Sequence, residues 1–200
     1  MGHRDNLLVA ARRCLLDRGY AATTVRDLVE ESGANQASIN YHFGSKDRLL
    51  NQALFDLNRE WGVRLFEALG VDPGSDRPST VAPDRHATEE LWDRVISSIH
   101  ANQKLWFVNF ESIAFVQHDP EIRQMNASGQ AISRNVLSLA FAGLGNDSDP
   151  DTRRTVGSHY YSLLIGLALQ MLTDPDNAPT ASQILETGRP ISSPEDPLAT

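Results

Sequence analysis

The sequence predicts an all-α protein, and three observations carry that prediction. Apolar residues recur at the three- and four-residue spacing of amphipathic helices along most of the 200 residues. No run of alternating polarity is bounded by a hairpin turn, and nothing repeats at a period of roughly 20–50 residues. Asp, Thr, Asn or Ser stands at candidate helix starts, and glycine stands at several candidate ends.

In chain order, Asp5 is placed to cap a first helix with Leu7, Leu8, Ala11, Cys14 and Leu15 on one face, ended by Gly19. Thr24-Val-Arg-Asp27 reads as a capping-box variant, with Thr24 at N-cap and Asp27 at the third helical position. It opens a short helix to about Ser32, which Gly33 ends. Asn35 caps a second short helix from Gln36 to Phe43, broken by Gly44-Ser45. Ser45 caps a long helix carrying Leu49, Leu50, Ala53, Leu54, Leu57, Trp61 and Leu65. Gly70 to His86 holds three prolines, two glycines and three aspartates and predicts a flexible loop. Helical periodicity resumes over 88–117, 119–143 and 150–173, with a break near Asn102 in the first segment. Asp119-Pro120 and Asp149-Pro150 mark turns and helix starts. A last short helix over about 180–188 ends at Gly188, and the tail beyond it has little to bury.

Composition narrows the function classes. Hydrophobic residues make up 40% and charged residues 22%, the balance of a globular chain. The longest strongly apolar run, Leu163 to Leu169, is far short of the ~20 residues that span a bilayer. No apolar signal segment follows Met1, so a cytoplasmic protein without membrane association is expected. The single cysteine, Cys14, excludes an internal disulfide and any multi-cysteine zinc site. No metal site and no cofactor are expected. The net charge of −8 argues, taken whole, against nucleic acid as a partner. The charge is uneven, however: residues 1–50 carry seven basic and six acidic groups, and the other 150 carry eleven and twenty.

Residues 24–43 have the spacing of a helix-turn-helix, with an eight-residue helix, a three-residue turn and a second short helix. Ile39 and Phe43 share a stripe that can pack on Val25, Leu28 and Val29. The other positions of the second helix are polar or small, which suits a major groove: Gln36, Ala37, Ser38, Asn40, Tyr41 and His42. Lys46 opens the next helix, where its ammonium and free backbone N–H groups can hold a phosphate. The spacing alone also fits a surface helix pair in an all-α protein. His42 can equally cap or pack, and Tyr41 can be partly core.

Gly19-Tyr-Ala-Ala-Thr-Thr-Val-Arg-Asp-Leu28, followed by Gly33 to Leu50 with Tyr41-His-Phe-x-x-Lys46, resembles the N-terminal domain of TetR-type transcriptional regulators. The resemblance covers about 45 residues closely, and the rest agrees in length and helical layout. It implies an N-terminal three-helix helix-turn-helix domain joined by a long helix to a C-terminal helical domain for ligand binding and dimerisation. The corresponding boundaries are 1–47, then 48–190 with a flexible loop at 70–87, then a disordered tail at 191–200. Position by position, Thr24, Asn35, Ser38, Tyr41, His42 and Lys46 fall where the family contacts phosphates. Gln36, Ala37 and Asn40 fall where it reads bases. Asn40 departs from the tyrosine common there, but its amide can pair with adenine N6 and N7.

The helix around Leu105–Val116 is apolar nearly all round and carries Asn109, Glu111 and Ser112, which need partners when buried. The resemblance implies a small-molecule cavity in this half. The candidate lining is Trp92, His100, Trp106, Phe107, Phe110, Glu111, Phe115, Met125 and Tyr161. Glu111 leads, because a carboxylate on an apolar helix is costly without a partner. Aromatics at helical spacing equally fit a plain core. The helix over 150–173 resembles the one that, with its successor, forms the family's dimeric four-helix interface. Tyr161, Ile165, Ala168, Leu169 and Leu172, with Ile184 and Leu185 after them, are the candidate contacts.

The function expected on these grounds is a bacterial, ligand-responsive regulator of transcription. It would be a repressor that binds a palindromic operator of double-stranded DNA as a homodimer and is released by a small apolar or aromatic effector. An activator of the same architecture, or a helical protein–protein adaptor that kept the domain, are the alternatives. An enzyme is not expected, since no HExxH, GxSxG, P-loop or GxGxxG motif occurs.

Overall fold

The computed structural model describes residues 2–72, 78–116 and 119–186. Among these, the regular structure is helical: α1 (His3–Arg18), α2 (Val25–Ser32), α3 (Gln36–Phe43), α4 (Lys46–Ala68), α5 (Arg85–Ala101), α6 (Gln103–Val116), α7 (Pro120–Ala142), α8 (Pro150–Thr173) and α9 (Ala181–Glu186). None of the described helices is long and apolar enough to cross a membrane.

Local chemistry sets most of the ends. At α2 the Asp27 backbone N–H donates to Thr24 Oγ1 at 3.2 Å, and the Thr24 N–H donates back to Asp27 Oδ2 at 2.8 Å. This reciprocal capping box satisfies two donors the helix leaves free. Asn35 Oδ1 accepts from Ser38 N–H at 2.9 Å to start α3, and Ser45 Oγ accepts from Arg48 N–H at 3.1 Å to start α4. Gly33, at φ 66°, closes α2 in the left-handed region, where a side chain would be strained. Asn102 separates α5 from α6, and its Nδ2 donates to Ser98 O at 2.8 Å.

Two expected features need correction. First, α1 starts at His3, with Gly2 at N-cap and no side-chain cap, so Asp5 lies inside the first turn. Its charge there still favours the helix through the dipole. Second, the loop expected over Gly70–His86 gives way to α5 already at Arg85, and its described later part is hydrogen-bonded to the turn after α7. Thr80 N–H donates to Gly143 O at 2.8 Å, and Ser79 N–H and Oγ donate to Asp147 Oδ1 at 2.6 Å. Asp84 then caps α5 through Ala87 N–H at 2.8 Å. Proline and aspartate counts do not register partners more than sixty positions away. The last helix stops at Glu186, and the expected end at Gly188 and the tail over 191–200 lie outside the described residues.

Helices α1 and α3 pack on α4, and α2 packs on α1, around Leu7, Leu15, Leu28, Ile39, Leu49 and Leu50, all almost wholly buried. Helix α4 also runs on into contact with α5, α6 and α7. It carries Trp61 and Leu65 into the same continuous core. Helices α7 and α8 form an antiparallel pair joined by the 143–149 turn. Trp92 of α5 sits between that pair, with its ring 4.8 Å from Phe141 and 6.5 Å from Tyr160. The head is therefore a small helical tripod mounted on a longer helical body by a shared helix.

Candidate nucleic-acid interface

Helix α3 is anchored on one side and bare on the other. Ile39 is buried and Phe43 is half-buried against the core, four residues apart on one stripe. Gln36, Ala37, Asn40, Tyr41 and His42 are all exposed. Tyr41 is 85% exposed and touches only the edge of His42, at 4.9 Å between centroids. The structure therefore places both Tyr41 and His42 outside the core.

The polar groups expected at phosphates stand at the caps and ends of α2, α3 and α4. Thr24 and Asn35 stand at the N-caps of α2 and α3, and Ser38 Oγ donates to Asn35 Oδ1 at 3.1 Å. Lys46, half-buried, donates from Nζ to Thr23 O at 3.1 Å and lies 3.8 Å from Asp47 Oδ1. Its ammonium is thus held beside the start of α2, on the side where Thr24 lies. Thr24, Asn35, Tyr41 and His42 are exposed, and Ser38 and Lys46 are half-buried.

The nine residues named for a pocket in the second half do not converge on one wall. His100 is exposed and Phe107 is 55% exposed. Met125 and Tyr161 are half-buried on α7 and α8. Phe115 stacks on Tyr20 with centroids 4.8 Å apart. Trp92 belongs to the aromatic core described above. Trp106 and Phe110 remain together, with Trp106 edge-on to Trp61 at 5.0 Å. The Trp106 indole N–H is buried and has no acceptor among the described residues. Nearby, Asn58 and Asn109 exchange amide hydrogen bonds at 2.7 and 2.9 Å. Glu111 does have the partner its setting demands, the Tyr20 N–H at 2.8 Å. A cleft that the structure does show lies in the head, lined by Arg13, Cys14, Asp17, Arg18, Asp27, Glu30 and Glu31. Two of its ion pairs, Arg13–Glu31 at 2.8 Å and Arg18–Asp27 at 2.9 Å, already satisfy those charges.

Of the interface candidates, Ala168 is buried within the chain. Tyr161, Ile165, Leu172, Ile184 and Leu185 are half-buried, and Leu169 is 46% exposed. Helix α8 pairs mainly with α7 rather than with its short successor α9, which packs on α5. The exposed apolar residues Leu163 on α8 and Ile132 on α7 were not singled out by sequence. Only the packing shows which side of each helix the chain leaves uncovered.

Several carboxylates are titrated by their caps and ion pairs. Hydrogen bonding from Thr24 holds Asp27 below its ordinary value, and the Arg48 guanidinium does the same for Asp119. The Ser79 hydroxyl and N–H lower Asp147, and the Thr152 N–H and hydroxyl lower Asp149. A carboxylate depressed in the folded chain stabilises it above the ordinary value of 3.8, and that contribution is lost as pH falls through the folded value. Stability is therefore expected to hold from neutrality to about pH 5 and to drop below about pH 4. Urea midpoints at neutral and acid pH test this. Asp119→Asn should show a shallower acid loss than the parent, and an acid loss equal to the parent's would contradict the assignment.

With this geometry in view, the class is clear: a helix-turn-helix head on a helical body. Residues 7–53 match the model of the bacterial regulatory proteins of the tetR family. The transcriptional repressor AcnR of Corynebacterium efficiens is 38% identical over 66 residues, which are 33% of this chain and 33% of that one. The transcriptional repressor KstR2 of Mycolicibacterium smegmatis is 42% identical over 53 residues, 26% of each chain. The chain thus matches only about a third of the length of these curated relatives. The solved structure of the multidrug binding protein EbrR complexed with imidazole superposes with a TM-score of 0.66 at 22% identity, covering 98% of this chain and 99% of that one. Residues 7–53 are thus similar to the N-terminal domain of TetR-family regulators, and the chain shares the helical fold of the superposed structure. Both relatives are named transcriptional repressors.

Proposed function

We propose that the protein is a bacterial cytoplasmic repressor of transcription that binds a partly palindromic operator as a homodimer. Its DNA contact is α3, and the observation that carries this reading is the bare face of Gln36, Ala37, Asn40 and Tyr41 over a buried Ile39 anchor. A helix two turns long with amides projecting from it fits the major groove, where amide side chains pair with adenine. Thr24, Asn35, Ser38, Tyr41, His42 and Lys46 would hold phosphates beside it. That the relatives matching this head are named repressors supports the direction of control.

The uncovered Leu169 of α8 supports a second copy of the chain packed on this side, joined by the neighbouring stripe of Tyr161, Ile165 and Leu172 and by Ile184 and Leu185 of α9. The two α3 helices would then face one side of the duplex, about 34–36 Å apart. The effector in this reading is a small, largely aromatic molecule bearing a hydrogen-bond acceptor. The unsatisfied Trp106 N–H, between Trp61 and Phe110, supports it, because a buried donor without a partner costs about 1–3 kcal/mol until something accepts from it. The matching fold of EbrR, a multidrug binding protein, supports the same role for the helical body.

Gln36→Ala should weaken binding to the operator by about 1–3 kcal/mol per half-site and barely change binding to random DNA. Asn40→Ala should behave likewise. Lys46→Ala should weaken all sequences alike and reduce the salt slope by about 2 for the dimer. Titrations against the operator and each single-base change of one half-site read all three. An unchanged base preference in Gln36→Ala would rule out α3 readout at that position.

A further inference from the structure

Beyond the shared helix α4 and an exposed Asp17–Lys104 pair at 3.6 Å, the head is hooked to the body at one corner, between the end of α6 and the start of α7, by two contacts that grip different parts of the head. The first hook is Glu111. Its Oε2 accepts from the Tyr20 N–H at 2.8 Å, in the turn that joins α1 to α2. Gly19, at φ 86°, gives the carboxylate its room: a Cβ there would lie 2.5 Å from Oε2 and 3.2 Å from the carboxyl carbon. One turn further along α6, Phe115 stacks on Tyr20. Tyr20 is itself fully buried, and its hydroxyl accepts from Asn51 Nδ2 of α4 at 2.6 Å. The second hook is Arg48, in the first turn of α4. Its Nε donates to Asp119 Oδ2 at 2.8 Å, and its Nη1 lies 2.9 Å from Glu121 Oε2.

We propose that this corner is a clasp that fixes the tilt of the DNA-binding head on the body, with Glu111 as its positioning residue. The shared helix α4 can still bend or twist along its length, and two hooks on separate elements of the head narrow the orientations it allows. Helix α3 lies in the chain between the two gripped segments, the turn at Tyr20 and the start of α4, so its direction follows theirs. Partly exposed ion pairs and hydrogen bonds add little to stability. Holding a mobile element in one of several orientations needs only a small differential energy. The proposal rests on the DNA-binding reading for its consequence: two heads on one operator must keep a fixed separation, so loosening the clasp relaxes the spacing they accept.

The test uses the full chain in two arms. In the first, spin labels on Glu30→Cys in the head and Asp93→Cys in α5 report the distance distribution by pulsed EPR, with the buried Cys14 left in place. The parent gives a narrow distribution, Glu111→Ala a distribution about twice as wide, and Glu111→Gln, which keeps an acceptor for the Tyr20 N–H, a narrow one again. Phe115→Ala, which removes the stack but not the acceptor, broadens it less. In the second arm, each variant is titrated against DNA selected by the parent and against the same site lengthened by one base pair between half-sites. Glu111→Ala reduces the preference for the shorter site by about threefold or more, and Glu111→Gln preserves it. A distribution in Glu111→Ala as narrow as the parent's, or a Gln variant as broad as the Ala variant, overturns the clasp. Failure of the parent to select any DNA counts against the DNA-binding reading alone, since the first arm needs no DNA.

Discussion

Replacing Trp92 with alanine is expected to cost about 3–5 kcal/mol of stability, the range for emptying a large aromatic site in a packed core. Trp92 is 1% exposed and is the largest fully buried side chain. It lies against Phe141, which in turn stacks on Tyr160 at 4.8 Å, so one side chain joins α5 to both members of the α7–α8 pair. Those neighbours are held in place by their own helices and cannot all move in to fill the space. The cost is therefore the lost transfer energy plus an unrelaxed cavity. Phe107→Ala on the exposed side of α6 is the control and should change stability by no more than about 0.5 kcal/mol. Urea-unfolding midpoints followed by far-ultraviolet circular dichroism measure both. A loss under about 1 kcal/mol for Trp92→Ala would mean that the aromatic stack is not the core of the body.

Gly157→Ala carries the next largest expected effect, and its sign is the informative part. On helix propensity alone, alanine in place of a mid-helix glycine should stabilise by about 1 kcal/mol. In α8, however, a Cβ at position 157 would lie 2.2 Å from the Arg134 carbonyl oxygen and 2.7 Å from its carbon. Both are backbone atoms of α7, so relief requires the two helices to separate over their shared length. Overpacking of this kind costs about 1–3 kcal/mol, which outweighs the propensity gain. Gly129 of α7 gives the opposite expectation. A Cβ there meets only the Phe55 ring, at an ordinary 3.6 Å, so Gly129→Ala should be stabilising. Thermal unfolding of the two variants separates the effects. A stabilised Gly157→Ala would show that α7 and α8 do not cross this closely.

The head was legible in the sequence because its boundaries are set within four residues of where they fall. Thr24 with Asp27, Asn35 with Ser38, and Ser45 with Arg48 each make a local hydrogen bond that residue types alone announce. The start of α1 carries no such side-chain cap, which is why Asp5 was a misleading marker. The exposed face of α3 was legible for the same reason, since a two-turn helix with one apolar stripe has only one way to sit. In the body, the sequence pointed to the right kinds of residue but not to their partners. Glu111 needed an acceptor's counterpart, and periodicity could not show that it was the Tyr20 N–H, 91 positions away. Arg48 stood out only as one positive charge among several, and Asp119 only as a cap before Pro120. Their pairing spans 71 positions. Trp92 and Trp106 looked alike as buried aromatics, and only the packing distinguishes a filled core from a ring with an unanswered N–H.

The central claim is that the bare face of α3 reads DNA, and selection of bound duplexes from a random pool by the full chain tests it most directly. The expected result is enrichment of one partly palindromic sequence whose half-sites lie one helical turn apart and each contain at least one A·T pair. The Gln36→Ala variant, carried through the same selection, should lose the preference at that pair while keeping the palindrome. A pool that stays random for the parent chain, or an enriched sequence that Gln36→Ala and Asn40→Ala select unchanged, would contradict the account.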